Sequence, residues 1–285
     1  VSLKSDVLLK RVPKNTGWRL FVQTVIGRSY PRVVGLLRER SWFFFDIFLP
    51  VLSVSAYVFV YRAIQAPEVY IGFVVMGGAM TAFWLNILWS MASQMYWEKE
   101  TGNLALYIMA PNSLMAVLLG MAFGGLFATL QRALVITLLG TLIFAVDFVI
   151  GSYVQLFLVF ALTMLALYGM GMMASSIFLL LSREAWHISN LAQEPIYLIS
   201  GFYFPLNSLN FWVAAGASII PLSMGMDAMR QLVFAPGSFD PFMPVGTEIA
   251  ILTALSIVFI WGARWFLRKM EKLAIAEGRL TESRR

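Results

Sequence analysis

Apolar residues run in blocks of span length along this chain, and short polar islands separate them. A helix that crosses a bilayer needs about 20 mostly apolar residues. Six segments meet that need: residues 42–61, 70–97, 114–146, 148–182, 188–206 and 247–266. The first contains Asp46 and Pro50, and the second and fourth carry no charge. The third holds Arg132 and is too long for one upright span, while the fifth holds Glu194, Pro195, Gly201 and Pro205. A further apolar stretch, 207–226, is interrupted by Gly216 and Pro221 and reads as short re-entrant or interfacial helices.

Ahead of the first block the pattern changes to a one-sided helix. In WRLFVQTVIGRSYPRVVGLLRER (18–40), Trp18, Phe21, Val22 and Val25 recur at helical spacing, and Arg28, Arg32, Arg38 and Arg40 add positive charge. This predicts an amphipathic helix in the membrane interface, drawn to anionic lipid and broken or kinked at Pro31.

Composition supports the same solvent. Of 285 residues, 60% are hydrophobic and 13% charged, with mean hydropathy +0.77; soluble domains carry about 25% charged residues. The expected fold is all-α and integral to the membrane, one domain over 1–285. It comprises a cytoplasmic or interfacial N-terminal helix (1–40), a six-span bundle (41–266) with an external re-entrant hairpin before the last span, and a cytoplasmic tail (267–285). Residues 1–15 show no apolar core ahead of a small-residue cleavage site, so no signal peptide is expected. With no cysteine, disulfides, thiolate metal sites and cysteine nucleophiles are excluded.

Charge sets the orientation. Nine of the 21 Lys and Arg lie in residues 1–40 and seven from Arg264 onward. The positive-inside rule then predicts both termini in the cytoplasm, which requires an even number of spans. The sequence pI near 9.6 reflects basic residues at membrane boundaries rather than a folded basic face, so nucleic acid is not an expected partner. The connections 98–113 and 183–187 are then cytoplasmic, and those near Ala66, Asp147 and 235–246 external.

One polar island stands out, YWEKETGNLALYIMAPNS (96–113). Glu98 and Glu100 are expected near the start of a short helix, where negative charge suits the macrodipole. Leu104, Leu106, Tyr107, Ile108 and Met109 follow, and Pro111 should stop it. Exposed apolar residues at a membrane edge fit a docking element, and a plain connector fits equally well. In the second span Asn86, Ser90, Ser93 and Trp97 fall on one helical face, either to bond neighbouring helices or to line a cavity. Among ionisable groups, Asp46 is expected to pair with Arg38 or Arg40, and Arg132 to snorkel toward the cytoplasm. Glu194 is a candidate for a translocation path. The single His187 lacks partners for a metal site, and no catalytic carboxylate pair, nucleophile elbow or zinc motif occurs.

The island EKETGNLALYIMAPNS resembles the coupling segment of the ABC-2 type permeases, the membrane subunits of type V ABC exporters. Glu98, Glu100, Gly102, Leu104, Leu106, Pro111 and Ser113 fit its pattern. EPIYLISGFYFPLNSLNFW is similar to the family's fifth span entering its external hairpin, through Pro195, Ser200, Gly201, Phe204, Pro205 and Leu206. IIPLSMGMDAMRQLV is a weaker match, through Pro221, Asp227 and Arg230. The resemblance runs from about Trp18 to Trp265. It departs at Asn210, where many members have Pro, and at 103–105, where Asn-Leu-Ala replaces the commoner Thr-Leu-Glu.

This resemblance implies a permease that works with a second copy of itself or a homologous permease, and with two copies of a separate ABC ATPase. Glu98, Glu100, Gly102, Leu104, Leu106 and Pro111 would couple to the ATPase, with Gly201, Phe204 and Pro205 in the external hairpin. The chain lacks a GxxxxGK[ST] loop, so ATP and Mg are expected on the partner and no cofactor on this chain. The family exports drugs, lipids and glycans across bacterial and archaeal plasma membranes. An amphiphilic or hydrophobic substrate is the expectation here, with a polysaccharide exporter or a proton-coupled secondary transporter as alternatives.

Overall fold

The structure, a computed structural model, describes residues 17–38, 40–110, 113–181 and 184–276. Among them every regular element is helical. In chain order these are α1 (Trp18–Arg38), α2 (Arg40–Ala63), α3 (Val69–Leu85), a π-helical segment (Asn86–Ala92), α4 (Gln94–Glu100) and α5 (Asn103–Met109). Then follow α6 (Leu114–Phe144), α7 (Tyr153–Leu181), α8 (Glu184–Ile199), a 3₁₀ turn (Leu206–Ser208), α9 (Phe211–Ala217), α10 (Pro221–Val233) and α11 (Val245–Ala276).

Among the described residues, four helical stretches are long and apolar enough to cross a membrane: Val69–Glu100, Leu114–Phe144, Tyr153–Ile177 and Val245–Met270. A fifth appears if α9 and α10, bent by 105° at a short break, count as one span. This falls short of the six expected. Within α2 the apolar part, Ile47–Ala63, is shorter. The block 188–206 is not one helix: α8 begins at Glu184 and ends at Ile199. Its 16 residues extend about 24 Å at 1.5 Å each, against about 30 Å of hydrocarbon. His187 accordingly lies within α8 rather than in a loop.

The third block is a single helix of 31 residues through Arg132. One further expectation is corrected: Pro31 does not break α1. A proline ring crowds the carbonyl four residues earlier, here that of Gly27, and both residues lie on the exposed face of the helix, where no packed neighbour confines them. The side chain of Asp46 lies outside the described residues.

Small residues decide how the helices meet. α1 lies along α6, across a Gly-x-x-x-Gly notch. A Cβ on Gly120 would stand 2.7 Å from Arg28 Cβ and from the Val25 carbonyl oxygen. One on Gly124 would stand 3.0 Å from Arg32 Cβ. Such close approach is what small residues provide between helices in apolar surroundings. α3 packs on α6, and α7 carries both α10 and α11.

At one end of the bundle the connections tie together. The Tyr61 hydroxyl donates to the Tyr203 carbonyl (3.0 Å). Backbone N–H groups of Val149 and Gly151 donate to the carbonyls of Val233 (2.8 Å) and Leu232 (3.0 Å). Gln231 donates to the Met243 carbonyl (2.8 Å). The α1–α4–α5 cluster occupies the opposite end.

Candidate coupling site and polar clusters

The second span ends in an elbow. α4 stops at Glu100, Gly102 takes a left-handed φ of +78°, and α5 leaves in a new direction. Glu98 and Glu100 therefore sit in the last turn of α4 and not at the start of the short helix, as the sequence pattern suggested. Carboxylates at a helix C-terminus oppose its macrodipole, so compensation has to come from elsewhere.

For Glu98 it comes from α1. Its carboxylate is 5% exposed and forms an ion pair with Arg28. Gln94 Nε2 donates to the same carboxylate (2.9 Å), as does the Tyr107 hydroxyl (3.3 Å). Arg28 also stands over the Tyr107 ring, 5.2 Å from its centroid. Burial, opposed by the Arg28 charge, pushes the Tyr107 phenol above its usual range, which keeps it a donor near neutral pH. Four side chains from three helices thus fix the angle between α4 and α5.

The outer face of the elbow is different in character. Glu100, Asn103, Leu106 and Met109 are exposed, whereas Leu104 is buried under α5. The helical period thus splits the two leucines of the motif: Leu104 is core and Leu106 is surface. Gly102 is exposed with open space around it. Pro111 lies outside the described residues.

One turn further in, Arg32 reaches the π segment. It donates to the Ser90 carbonyl (2.8 Å), Gln94 Oε1 (3.1 Å) and the Met121 carbonyl (3.3 Å). Burial, with the nearby Arg28 charge second, lowers its pKa to about 10, still far above neutrality. Bonds from residue i to i+5 leave carbonyls out of the ordinary ladder, and such bulges concentrate at functional sites. They also shift register, so the four polar residues of this span do not share one environment. Asn86 is buried, its Oδ1 accepting from the Tyr168 hydroxyl (3.1 Å) and filling the notch at Gly125. Ser93 is buried, bonding the Leu88 carbonyl (2.9 Å). Ser90 is half-buried and Trp97 exposed.

At the opposite end a second cluster forms around Arg230, which is fully buried. Gly201 (φ +66°) turns the chain after α8, and Pro205 is buried beneath it. Arg230 donates to the carbonyls of Phe202 (2.9 Å) and Phe204 (3.1 Å), and lies 4.4 Å from the centroid of the Phe73 ring. Tyr61 takes the carbonyl between them. Gly77 is the seat of this turn, since a Cβ there would fall 1.7 Å from the Phe202 carbonyl oxygen. Nearby, buried Asp227 accepts from the Phe242 N–H (2.9 Å) and buried Glu248 from Gln231 (2.9 Å).

Glu194 belongs to neither cluster. It is exposed on α8, in line with the exposed Leu191 and Leu198, and accepts from Gln193 (3.3 Å). Gln193 in turn accepts from Trp89 (3.1 Å), just inside the π segment.

Arg28 and Arg32 were missed as site residues, because their charge pattern alone points them at lipid. Gly120-x-x-x-Gly124 was the available signal: a docking notch in α6 needs an occupant, and α1 supplies one.

The described residues form an all-helical bundle in which several helices are long and apolar enough to cross a membrane, the architecture of a multi-pass membrane protein. The family model for the ABC-2 type transporter matches residues 16–234, and the chain belongs to that family. It is accordingly the permease component of an ABC transporter, not the ATPase, and membership implies an ABC ATPase partner and a dimeric arrangement. No curated protein matches the chain.

Proposed function

We propose that this chain is the permease of an ATP-driven exporter and that the α4–α5 elbow is where the ATPase pushes. The single observation that carries the reading is the two-sidedness of the elbow. Glu100, Leu106 and Met109 are exposed, while Glu98, Leu104 and Tyr107 tie the same segment to α1 and the second span. A surface that is free outside and rigid inside transmits force. Closure of two ATPase subunits, which hold ATP and Mg, would tilt the spans as rigid bodies of the hinge-and-shear kind.

In this reading α2, the second span, α6, α7, α8 together with the turn that carries the chain on to Leu206, and α11 make six crossings, with both termini in the cytoplasm of a bacterial or archaeal cell. The bent α9–α10 pair enters and returns on the external side. Its support is that Tyr203, ahead of the pair, bonds to Tyr61 in the last turn of α2, and that Leu232 and Val233, at the pair's end, bond to the α6–α7 connection at the same end of the bundle. Glu194, Leu191 and Leu198 would face the second copy and complete the path for an amphiphilic or hydrophobic substrate.

The test is capture of the ATPase by permease variants in reconstituted membranes. Glu100→Lys with Leu106→Asp should abolish capture and transport and leave thermal stability unchanged, because like charge across an interface costs several kcal/mol. Full capture and transport by that variant would refute the assignment.

A further inference from the structure

The last helix is longer than a membrane needs. α11 has 32 residues, about 48 Å at 1.5 Å each. Its start is tied into the cluster at the hairpin end through Glu248 and Gln231. Hydrocarbon about 30 Å thick accommodates about 20 residues, and 20 residues on from Val245 is Trp265. The remaining turns stand beyond the apolar core.

Those turns carry an ordered stripe. Trp261, Trp265, Arg268, Lys269 and Lys272 are all exposed. At 100° per residue they fall within an arc of about 100° on one face. The order along the axis is as telling as the face. Two tryptophans come first, at the depth where their amphipathic rings settle at a bilayer boundary. Three cations follow within the next two turns, at the depth of headgroup phosphates. Lys269 Nζ folds back over the Trp265 ring, 5.2 Å from its centroid, so ring and ammonium present one combined surface. Between Gly262 and Lys272 the sequence holds four cations and a single acid, Glu271.

We infer that this stripe is a binding site for an anionic phospholipid, its phosphate held by Arg268, Lys269 and Lys272 and its acyl chains lying along Trp261 and Trp265. Charge complementarity selects the occupant. A zwitterionic lipid brings its own cation to the same depth and gains little, whereas an anionic headgroup meets three positive charges with no competing one. Placement in the cytoplasmic leaflet rests on the orientation proposed above; the lipid preference does not.

The experiment uses the full-length permease in neutral detergent, titrated with phosphatidylglycerol or with phosphatidylcholine while thermal unfolding is followed. Each basic residue near an anionic lipid surface contributes roughly fivefold in affinity. The triple variant Arg268→Gln/Lys269→Gln/Lys272→Gln should therefore need on the order of a hundredfold more phosphatidylglycerol for half-maximal protection. Arg19→Gln on the exposed face of α1 should not change it. The charge-preserving variant Arg268→Lys/Lys269→Arg/Lys272→Arg should retain the wild-type midpoint at the same salt concentration. Raising salt to about 1 M, where screening acts within about 3 Å, should erase the preference of the wild type. The inference is overturned if the Gln variant keeps its midpoint within twofold. It is equally overturned if wild type shows no preference for phosphatidylglycerol over phosphatidylcholine, or a preference that salt leaves intact. Inverted topology with the preference preserved would remove only the orientation.

Discussion

Breaking the Arg28–Glu98 pair should uncouple the elbow without removing its docking face. Loss of one partner from a buried pair costs roughly 3–5 kcal/mol, because the other charge is left uncompensated. Two features of this site reduce that figure. The Arg28 side chain is 25% exposed, and Gln94 and Tyr107 still donate to Glu98 when Arg28 is gone. Arg28→Met should then destabilise by about 2–3 kcal/mol. Glu98→Gln keeps the shape and frees Arg28 to turn toward water, so about 1 kcal/mol is expected. The double variant should cost less than the sum, leaving a coupling energy of about 1.5–2 kcal/mol, in the range of hydrogen bonds to charged groups. Unfolding of the four proteins in mixed micelles measures the cycle. In liposomes with the ATPase, Arg28→Met should still support ATP hydrolysis while transport per ATP falls. A coupling energy below about 0.5 kcal/mol would mean that the sites act independently, and unchanged transport per ATP would refute the mechanical role.

Other consequences are sharper. Gly77→Ala should destabilise by about 1–3 kcal/mol through overpacking against the Phe202 carbonyl, whereas Gly216→Ala, with nothing within 4 Å, should not; thermal unfolding separates them. Tyr168→Phe should cost about 1–3 kcal/mol, since it leaves the buried Asn86 oxygen without its donor. A cysteine at exposed Ser238 should react with a membrane-impermeant reagent in intact cells, and a tag after Arg285 should not; the reverse pattern would invert the orientation.

Composition and apolar block length were enough to read the helical membrane class, because burial in lipid leaves helices as the economical answer for a backbone. The polar island at 96–113 was legible as a break between two spans, but its internal turn was misplaced. Gly102 signalled a turn, yet nothing local told which side of it Glu98 belonged to. The side chains that decide this, Arg28 and Tyr107, lie 70 positions before it and nine after it. Leu104 and Leu106 looked equivalent until the phase of a seven-residue helix separated them. The π segment could not be read at all, since the group that takes its Ser90 carbonyl, Arg32, comes from another helix. In the block 188–206, Gly201 and Pro205 were legible as interruptions of an apolar run. The reason for them, a buried guanidinium collecting the turn's carbonyls, came from Arg230, 29 residues on.

The docking of α1 into the Gly120–Gly124 notch also orders events during synthesis. Arg28 leaves the ribosome 92 residues before the glycine that its helix must rest on. At about 5–20 residues per second that interval is roughly 5–20 s, and two further hydrophobic segments are threaded into the membrane meanwhile. Over much of that interval α1 would have a lipid surface as its apolar refuge, and until residues 90–98 emerge its arginines would have headgroups as partners. The lipid-facing character written into its sequence is thus the description of a waiting state. Only when the third long span arrives can Arg28 and Arg32 turn inward, so the elbow is assembled last although its bracing helix is made first. A nascent chain halted before Gly120 should expose both arginines to protease or label, and one halted well past Phe144 should protect them.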